Sequence, residues 1–209
     1  MGARILGANS ISIRLLASFI GNVVASELGV PMASLRYKRL ELLRNRELLK
    51  SKGNYDSIFV LPDKARQAIS WWITNIHAAY KFMCTPPPSV DLFTDASLSG
   101  WGAVRGNAVA RGHWAASEIS HINVLELKTV LLGLQALCRD LRDVHVRLHV
   151  DNTTAVACIN RCGSMKEALL SVCEQIFEWA CERNVTISAE HIKGIHNVEA
   201  DFASRIGNV

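Results

Sequence analysis

No two of the chain's six cysteines form a CxxC pair, which removes the common zinc and thiol-redox patterns. Cys84, Cys138, Cys158, Cys162, Cys173 and Cys181 therefore read as reduced thiols, and the expected compartment is intracellular, cytoplasm or nucleus. Long apolar runs are also missing. The nearest approach, Leu15 to Ala25, is interrupted by Asn22 and preceded by Asn9, Ser10, Ser12 and Arg14, a pattern that suits an amphipathic helix. It is too short for a transmembrane span and wrongly flanked for a signal peptide, so no membrane is expected as a partner. Gly2 follows Met1, but Leu6 stands where a myristoylation signal needs Ser or Thr. Repeats and low-complexity tracts are absent.

What the chain does have is enough apolar sequence, 49% of 209 residues, to bury a sizeable core. Its charge is uneven. Residues 1–85 carry 12 Lys/Arg against 5 Asp/Glu, a balance of +7, and the remainder carries 11 against 14, a balance of −3. The basic part is the natural candidate for phosphate contacts. Helices are expected over 11–26 and 35–50, and a third from Leu61-Pro62-Asp63, with Trp71, Trp72, Ile73 and Ile76 on its apolar side, up to Thr85-Pro86-Pro87-Pro88. Three prolines cannot continue a helix, so the boundary is drawn there: a mainly helical region 1–88 and a second domain 89–209. The charge of the second helix suits either a solvated face or a nucleic-acid-binding one. Arg36, Lys38, Arg39 and Arg44 are the candidates for the latter.

Beyond residue 88 the pattern predicts strands near 91–96, 100–105 and 109–115, a helix over 122–138, a strand at 144–150, helices near 153–160 and 166–182, a strand at 185–191 and a last helix from 198. Three strands in a meander followed by alternating helix and strand give an α/β fold with a mixed sheet and helices on its faces. Asp95 sits inside the first strand, in VDLFTDASLSGWGAV, where an ionised carboxylate needs a partner or a metal. Glu126 lies at the edge of a helical apolar stripe, Asp151 at the end of VHVRLHV and Asp201 near the start of the final helix. Singly these read as a solvated Glu, a helix cap and a first-turn acid. As a set, four acids at the rims of apolar elements point to a hard divalent cation, Mg²⁺ with Mn²⁺ as a substitute.

The segments TDASLSGWGAV, HINVLELKTVLLGL, LHVDNTTAVACIN and HIKGIHNVEADFASR resemble the four acidic motifs of a type 1 ribonuclease H domain, most closely those of DIRS-type (tyrosine-recombinase) retrotransposons, over residues 90–206. Residues 11–82, with the Trp71-Trp72 pair, resemble the connection region that joins reverse transcriptase polymerase to ribonuclease H in those elements. The resemblance implies a five-stranded mixed sheet, two Mg²⁺ ions and hydrolysis of the RNA strand of RNA/DNA hybrids, with Asp95, Glu126, Asp151 and Asp201 as catalytic and metal-binding carboxylates. Ser97 and Asn152, beside two of these acids, become candidate nucleic-acid contacts. The segment from Gly194 to Asp201 is more compact than the family's His-bearing loop, leaving His196, or His191, as the candidate for product release or for a merely structural place. No basic protrusion occupies 160–170, so hybrid affinity is expected to come from the N-terminal region. A Tyr-x-Asp-Asp polymerase motif is missing too, and the chain resembles a fragment whose partner would be the missing polymerase part. The competing readings are an inactive nucleic-acid-binding remnant, a structural connector, or transposase-type chemistry on the same fold.

Overall fold

The computed structural model describes residues 1–81 and 85–205. Cys84 lies outside the described residues. The chain divides into two compact units, Met1–Met83 with Ser164–Leu170, and Cys84–Gly163 with Ser171–Val209.

The first unit contains α1 (Gly2–Leu6), β1 (Ser10–Ser12), α2 (Ile13–Ala25), α3 (Ala33–Lys50), β2 (Ile58–Val60) and α4 (Asp63–Asn75). Ser12 ends β1 and caps α2, its hydroxyl accepting from the Leu15 N–H at 3.2 Å. The short strands pair antiparallel, Ile11 opposite Phe59. Leu16, Ile20, Leu40, Ile69 and Trp72 fill the core between the helices. Arg66 ties the chain's start to it, its guanidinium donating to the carbonyls of Leu6, Ala8 and Leu61 at 3.0, 2.9 and 3.3 Å. One expectation fails here. The third helix stops at Asn75, eleven residues before Pro86, because the buried face ends with Trp72 and Ile76 is exposed. The Asn75 side chain turns back to donate to the Trp71 carbonyl at 2.8 Å.

The second unit is built on a five-stranded mixed sheet in the order β5-β4-β3-β6-β7, from β3 (Val90–Ala96), β4 (Gly100–Arg105), β5 (Ala108–His113), β6 (His145–Val150) and β7 (Thr186–His191). β3, β4 and β5 are antiparallel, while β6 and β7 run parallel to β3. The helices are α5 (Ile122–Leu137), α6 (Thr153–Asn160), α7 (Glu167–Cys181), whose first four residues belong to the first unit, and α8 (Val198–Arg205). Five strands and flanking helices are what the sequence predicts, with ends shifted by a residue or two. Two 3₁₀ turns, Ala116–Glu118 and Gly194–His196, are additional. His145 anchors the proline segment, its ring bridging the Pro86 carbonyl at 2.7 Å and the Ser188 hydroxyl at 2.8 Å. At the β7 edge the Asn160 amide donates to the Ala189 carbonyl at 2.8 Å and accepts from its N–H at 2.9 Å. Among the described residues, no helix is long and apolar enough to cross a membrane.

Two glycines set how closely helices approach the sheet. A Cβ on Gly133 of α5 would lie 2.8 Å from the Ala103 Cβ, and one on Gly102 of β4 would lie 2.5 Å from the Ala200 carbonyl oxygen and 2.8 Å from the Ser204 nitrogen. Adjacent strand residues point to opposite faces, so α5 packs on the Ala103 side and α8 on the Gly102 side. Gly102→Ala must push α8 backbone away, and we expect it to cost ~1–3 kcal/mol by urea unfolding, as overpacking does. Gly21→Ala, in the exposed middle of α2 with no atom near its Cβ position, should instead gain about 0.5–1 kcal/mol. Equal effects from the two substitutions would remove close packing as the reason for Gly102.

Candidate active site

The last register pair of the parallel strands β3 and β6 is Thr94 opposite Val150. One step further lie Asp95, within β3, and Asp151, just past the end of β6. Parallel neighbours sit ~4.8 Å apart, so the register alone brings these two carboxylates together. Asp95 also stands opposite Gly102, on the α8 face. Glu126 arrives from α5, on the opposite face. One carboxylate oxygen from each of Asp95, Glu126 and Asp151 lies within 4.8 Å of the others. Asp95 and Glu126 are only 5% and 3% exposed, which makes solvation an insufficient explanation for either charge.

The electrostatics are correspondingly strained. Two unit charges at that separation repel by roughly 3 kcal/mol at an effective dielectric of 20. Burial, reinforced by the charges of Asp151 and Asp95, pushes the Glu126 carboxyl up to about 9. Burial also raises Asp95, against the opposing hydrogen bond from Ser204 and with the charges of Asp151 and Asp201. The Glu126 Oε2 is buried without a hydrogen-bond partner. An all-oxygen set of clustered acids with one orphaned buried acceptor suits a hard divalent cation, which would neutralise the cluster and occupy that acceptor.

Asp201 is not part of this trio. It lies on α8, and Arg205 one turn later grips its Oδ1 through Nε at 2.7 Å and through a terminal nitrogen at 2.6 Å. It is close enough to Asp95 to raise its pKa. The remaining residues that the sequence singles out have mixed placements. Ser97 uses its hydroxyl internally, accepting from the Ser99 and Gly100 N–H groups at 3.3 and 3.0 Å and donating to the Ser204 carbonyl at 2.7 Å. Asn152 caps α6, accepting from the Ala155 N–H at 3.0 Å, and donates to Asn123 at 2.9 Å. His191 reaches the Asp151 carbonyl oxygen at 3.1 Å, whereas His196 is exposed in the 3₁₀ turn after Lys193. On α3, Arg36 lies 3.6 Å over the Trp71 ring, Arg39 pairs with Glu167 at 3.0 Å, and Arg44 approaches Glu41 at 3.8 Å. Lys38 sits half-buried on the same helix. The α3 candidates thus belong to the first unit, and the carboxylates to the second.

Sequence reasoning passed over Ser204, which is buried and donates to the Asp95 Oδ2 at 2.5 Å, and Asn197, which donates to the Thr94 carbonyl at 3.0 Å. The spacing of Ser204 three residues after Asp201 was the available signal, since it shares that residue's side of the helix.

No family model and no curated protein matches the chain. Solved structures do resemble it, among them ribonuclease H1 proteins and a foamy viral protease-reverse transcriptase. LC11-RNase H1, crystallised with an RNA/DNA hybrid, is 21% identical with a TM-score of 0.48, covering 55% of this chain and 93% of its own. Ribonuclease H1 of the halophilic archaeon Halobacterium salinarum is 18% identical with a TM-score of 0.45, covering 55% and 92%. The foamy viral protease-reverse transcriptase in complex with RNA/DNA hybrid is 14% identical with a TM-score of 0.32, covering 90% of this chain and 26% of its own.

The raised carboxyls fix a sign for pH dependence. In the metal-free protein Glu126 keeps its proton to about 9, whereas unfolded it ionises near 4.5. The native state therefore binds more protons between those values, and its stability is full below about 4.5 and falls as pH rises toward about 9. We expect the melting temperature in EDTA to drop by several degrees from pH 5 to pH 9, at ~2–4 °C per kcal/mol. Glu126→Gln should flatten most of that drop. A flat profile for the unsubstituted protein would mean that the cluster does not hold these charges against one another.

Proposed function

We propose that the chain is a metal-dependent endonuclease that hydrolyses the RNA strand of RNA/DNA hybrids. In this reading it derives from the reverse transcriptase polyprotein of a DIRS-type retrotransposon, with 1–88 the connection region and 89–209 the ribonuclease H-like domain. Its polymerase part would be the partner, in the cytoplasm or nucleus. The observation that supports the reading is the convergence of Asp95 and Glu126, both buried, with the half-buried Asp151, mutually repelling at the ends of β3 and β6.

Asp95, Glu126 and Asp151 would hold two Mg²⁺ ions, or Mn²⁺ in their place, with Asp201 joining from the rim. Such ions, when bound, supply charge for the phosphate and a more acidic water. The chain's own part is to hold its carboxylates side by side and fixed in direction, while the charge of a bound cation would favour the ionised forms that burial alone disfavours. Asp95, the central member, would be the carboxylate on which that site most depends. Asn152 keeps one amide N–H beyond its bond to Asn123 for a phosphate or a ribose hydroxyl, and the 2′-hydroxyl marks the RNA strand. The hydroxyl of Ser97 is taken up by the backbone, so its place beside the hybrid is to shape the turn after Asp95. Arg36, Lys38, Arg39 and Arg44 add phosphate contacts from α3, Arg39 and Arg44 exchanging their carboxylate neighbours for phosphates. His196, exposed two residues after Gly194, whose Cβ position lies 3.5 Å from the Asp151 carboxylate, is the group proposed to assist product release.

Purified protein incubated with labelled hybrid, duplex DNA and duplex RNA should cut only the RNA strand of the hybrid, with Mg²⁺ or Mn²⁺ and not with EDTA. Asp95→Asn keeps the shape but removes a charge and acceptor capacity, and should abolish cleavage. Hybrid binding without any cutting by the unsubstituted protein would return the inactive-remnant reading, and equal cutting of duplex DNA would sink the assignment. For α3, Arg39→Gln with Arg44→Gln should lower the slope of log affinity against log salt by about 0.9 for each phosphate that is no longer neutralised. An unchanged slope takes this helix out of the interface.

A further inference from the structure

We infer that Ser204 is a positioning residue for Asp95, setting the direction of that carboxylate and with it the cation affinity of the cluster; this rests on the metal-dependent reading above. The torsion that turns an Asp carboxylate is soft, so a buried carboxylate takes its orientation from its hydrogen bonds. The Ser204 hydroxyl donates to the Asp95 Oδ2 at 2.5 Å, a short distance typical of O–H to an ionised carboxylate. Ser204 is itself 2% exposed, so water does not compete for the bond. The same oxygen lies 2.9 Å from the Asp201 carbonyl, which gives the single hydroxyl proton two acceptors, and the charged, closer one is favoured.

The surroundings hold Ser204 in place. Ser97 donates to the Ser204 carbonyl at 2.7 Å, tying the last turn of α8 to the turn after β3. Gly100 and Gly102 leave room for that approach, since added Cβ atoms would fall 3.0 Å from the Ser204 carbonyl oxygen and 2.8 Å from its nitrogen. The next residue, Arg205, grips Asp201. Consecutive side chains of α8 thus each fix a different carboxylate, one on β3 and one on the helix itself. The glycines of GWG, otherwise unexplained in a strand, serve this approach.

Partners that orient a metal ligand typically change affinity or activity 10–100-fold when removed. The test is Mn²⁺ binding by calorimetry on the full chain, with hybrid cleavage measured in parallel. Ser204→Ala should weaken Mn²⁺ binding at least ~10-fold and lower kcat with little change in KM for hybrid. Ser204→Thr, which keeps the hydroxyl, should restore binding to near that of the unsubstituted protein. If the alanine variant does not fold, Ser204→Cys, with only a weak donor, should show a loss in the same direction. A purely structural Ser204 predicts a lower melting temperature in EDTA with unchanged Mn²⁺ affinity, and that result overturns the inference. If the unsubstituted protein binds Mn²⁺ but cuts no hybrid, the nuclease reading fails, while the ratio of affinities still decides the role of Ser204.

Discussion

The register of two parallel strands governs this molecule. With Thr94 opposite Val150, the next residues of β3 and β6 have to carry their side chains forward next to each other, and both are aspartates. A one-residue slip would turn one of them to the other face of the sheet and separate the charges. The hydrophobic alternation of the strands enforces the register, because Leu92, Val146, Leu148 and Val150 are buried only in this alignment. The apolar core therefore holds together a group of charges that would disperse if free to do so.

Two helices then reach that place from opposite sides, and each relies on a missing side chain. α5 lies on Gly133 and delivers Glu126, and α8 lies on Gly102 and delivers Ser204. Close packing of this kind converts small shifts into changes at the carboxylates, since neither helix can move away without opening a cavity. The opposing trend is that burial works against ionisation, and it is the crowding of acids in a water-poor setting that makes the cluster suited to a cation.

Most of the second unit was legible in the sequence because its elements are long enough to show a period. β6 alternates, β3 and β4 are runs split by the turn chemistry of Ser97 to Gly100, and α5 and α7 repeat their apolar residues at helical spacing. The pieces that escaped, α1, β1, β2 and the 3₁₀ turns, span only three to five residues each and carry no period at all. The end of α4 was misplaced because the prolines mark where a helix must have stopped, whereas Trp72 marks where its packing stops. Asp95, Glu126 and Asp151 could be picked out as acids in apolar settings. Ser204 carried only the weak signal of its spacing from Asp201, since its meaning comes from a carboxylate more than a hundred residues away. The charges of α3 show the converse limit: sequence reads them as available, yet Arg36 stacks on Trp71 and Arg39 meets Glu167 in space.

At the far edge of the sheet, the Asn160 amide is more than a simple tertiary link. By giving and receiving one hydrogen bond at Ala189, it imitates the backbone of a sixth strand for the length of a single residue. β7 is an edge strand, and unpaired strand edges are templates on which other chains polymerise. A side chain that occupies one rung and then ends makes that edge a poor template, because an incoming strand would have to displace it to keep a continuous ladder. The sheet is thereby discouraged from growing on its β7 side, and resistance to self-association is written into one asparagine at the end of α6.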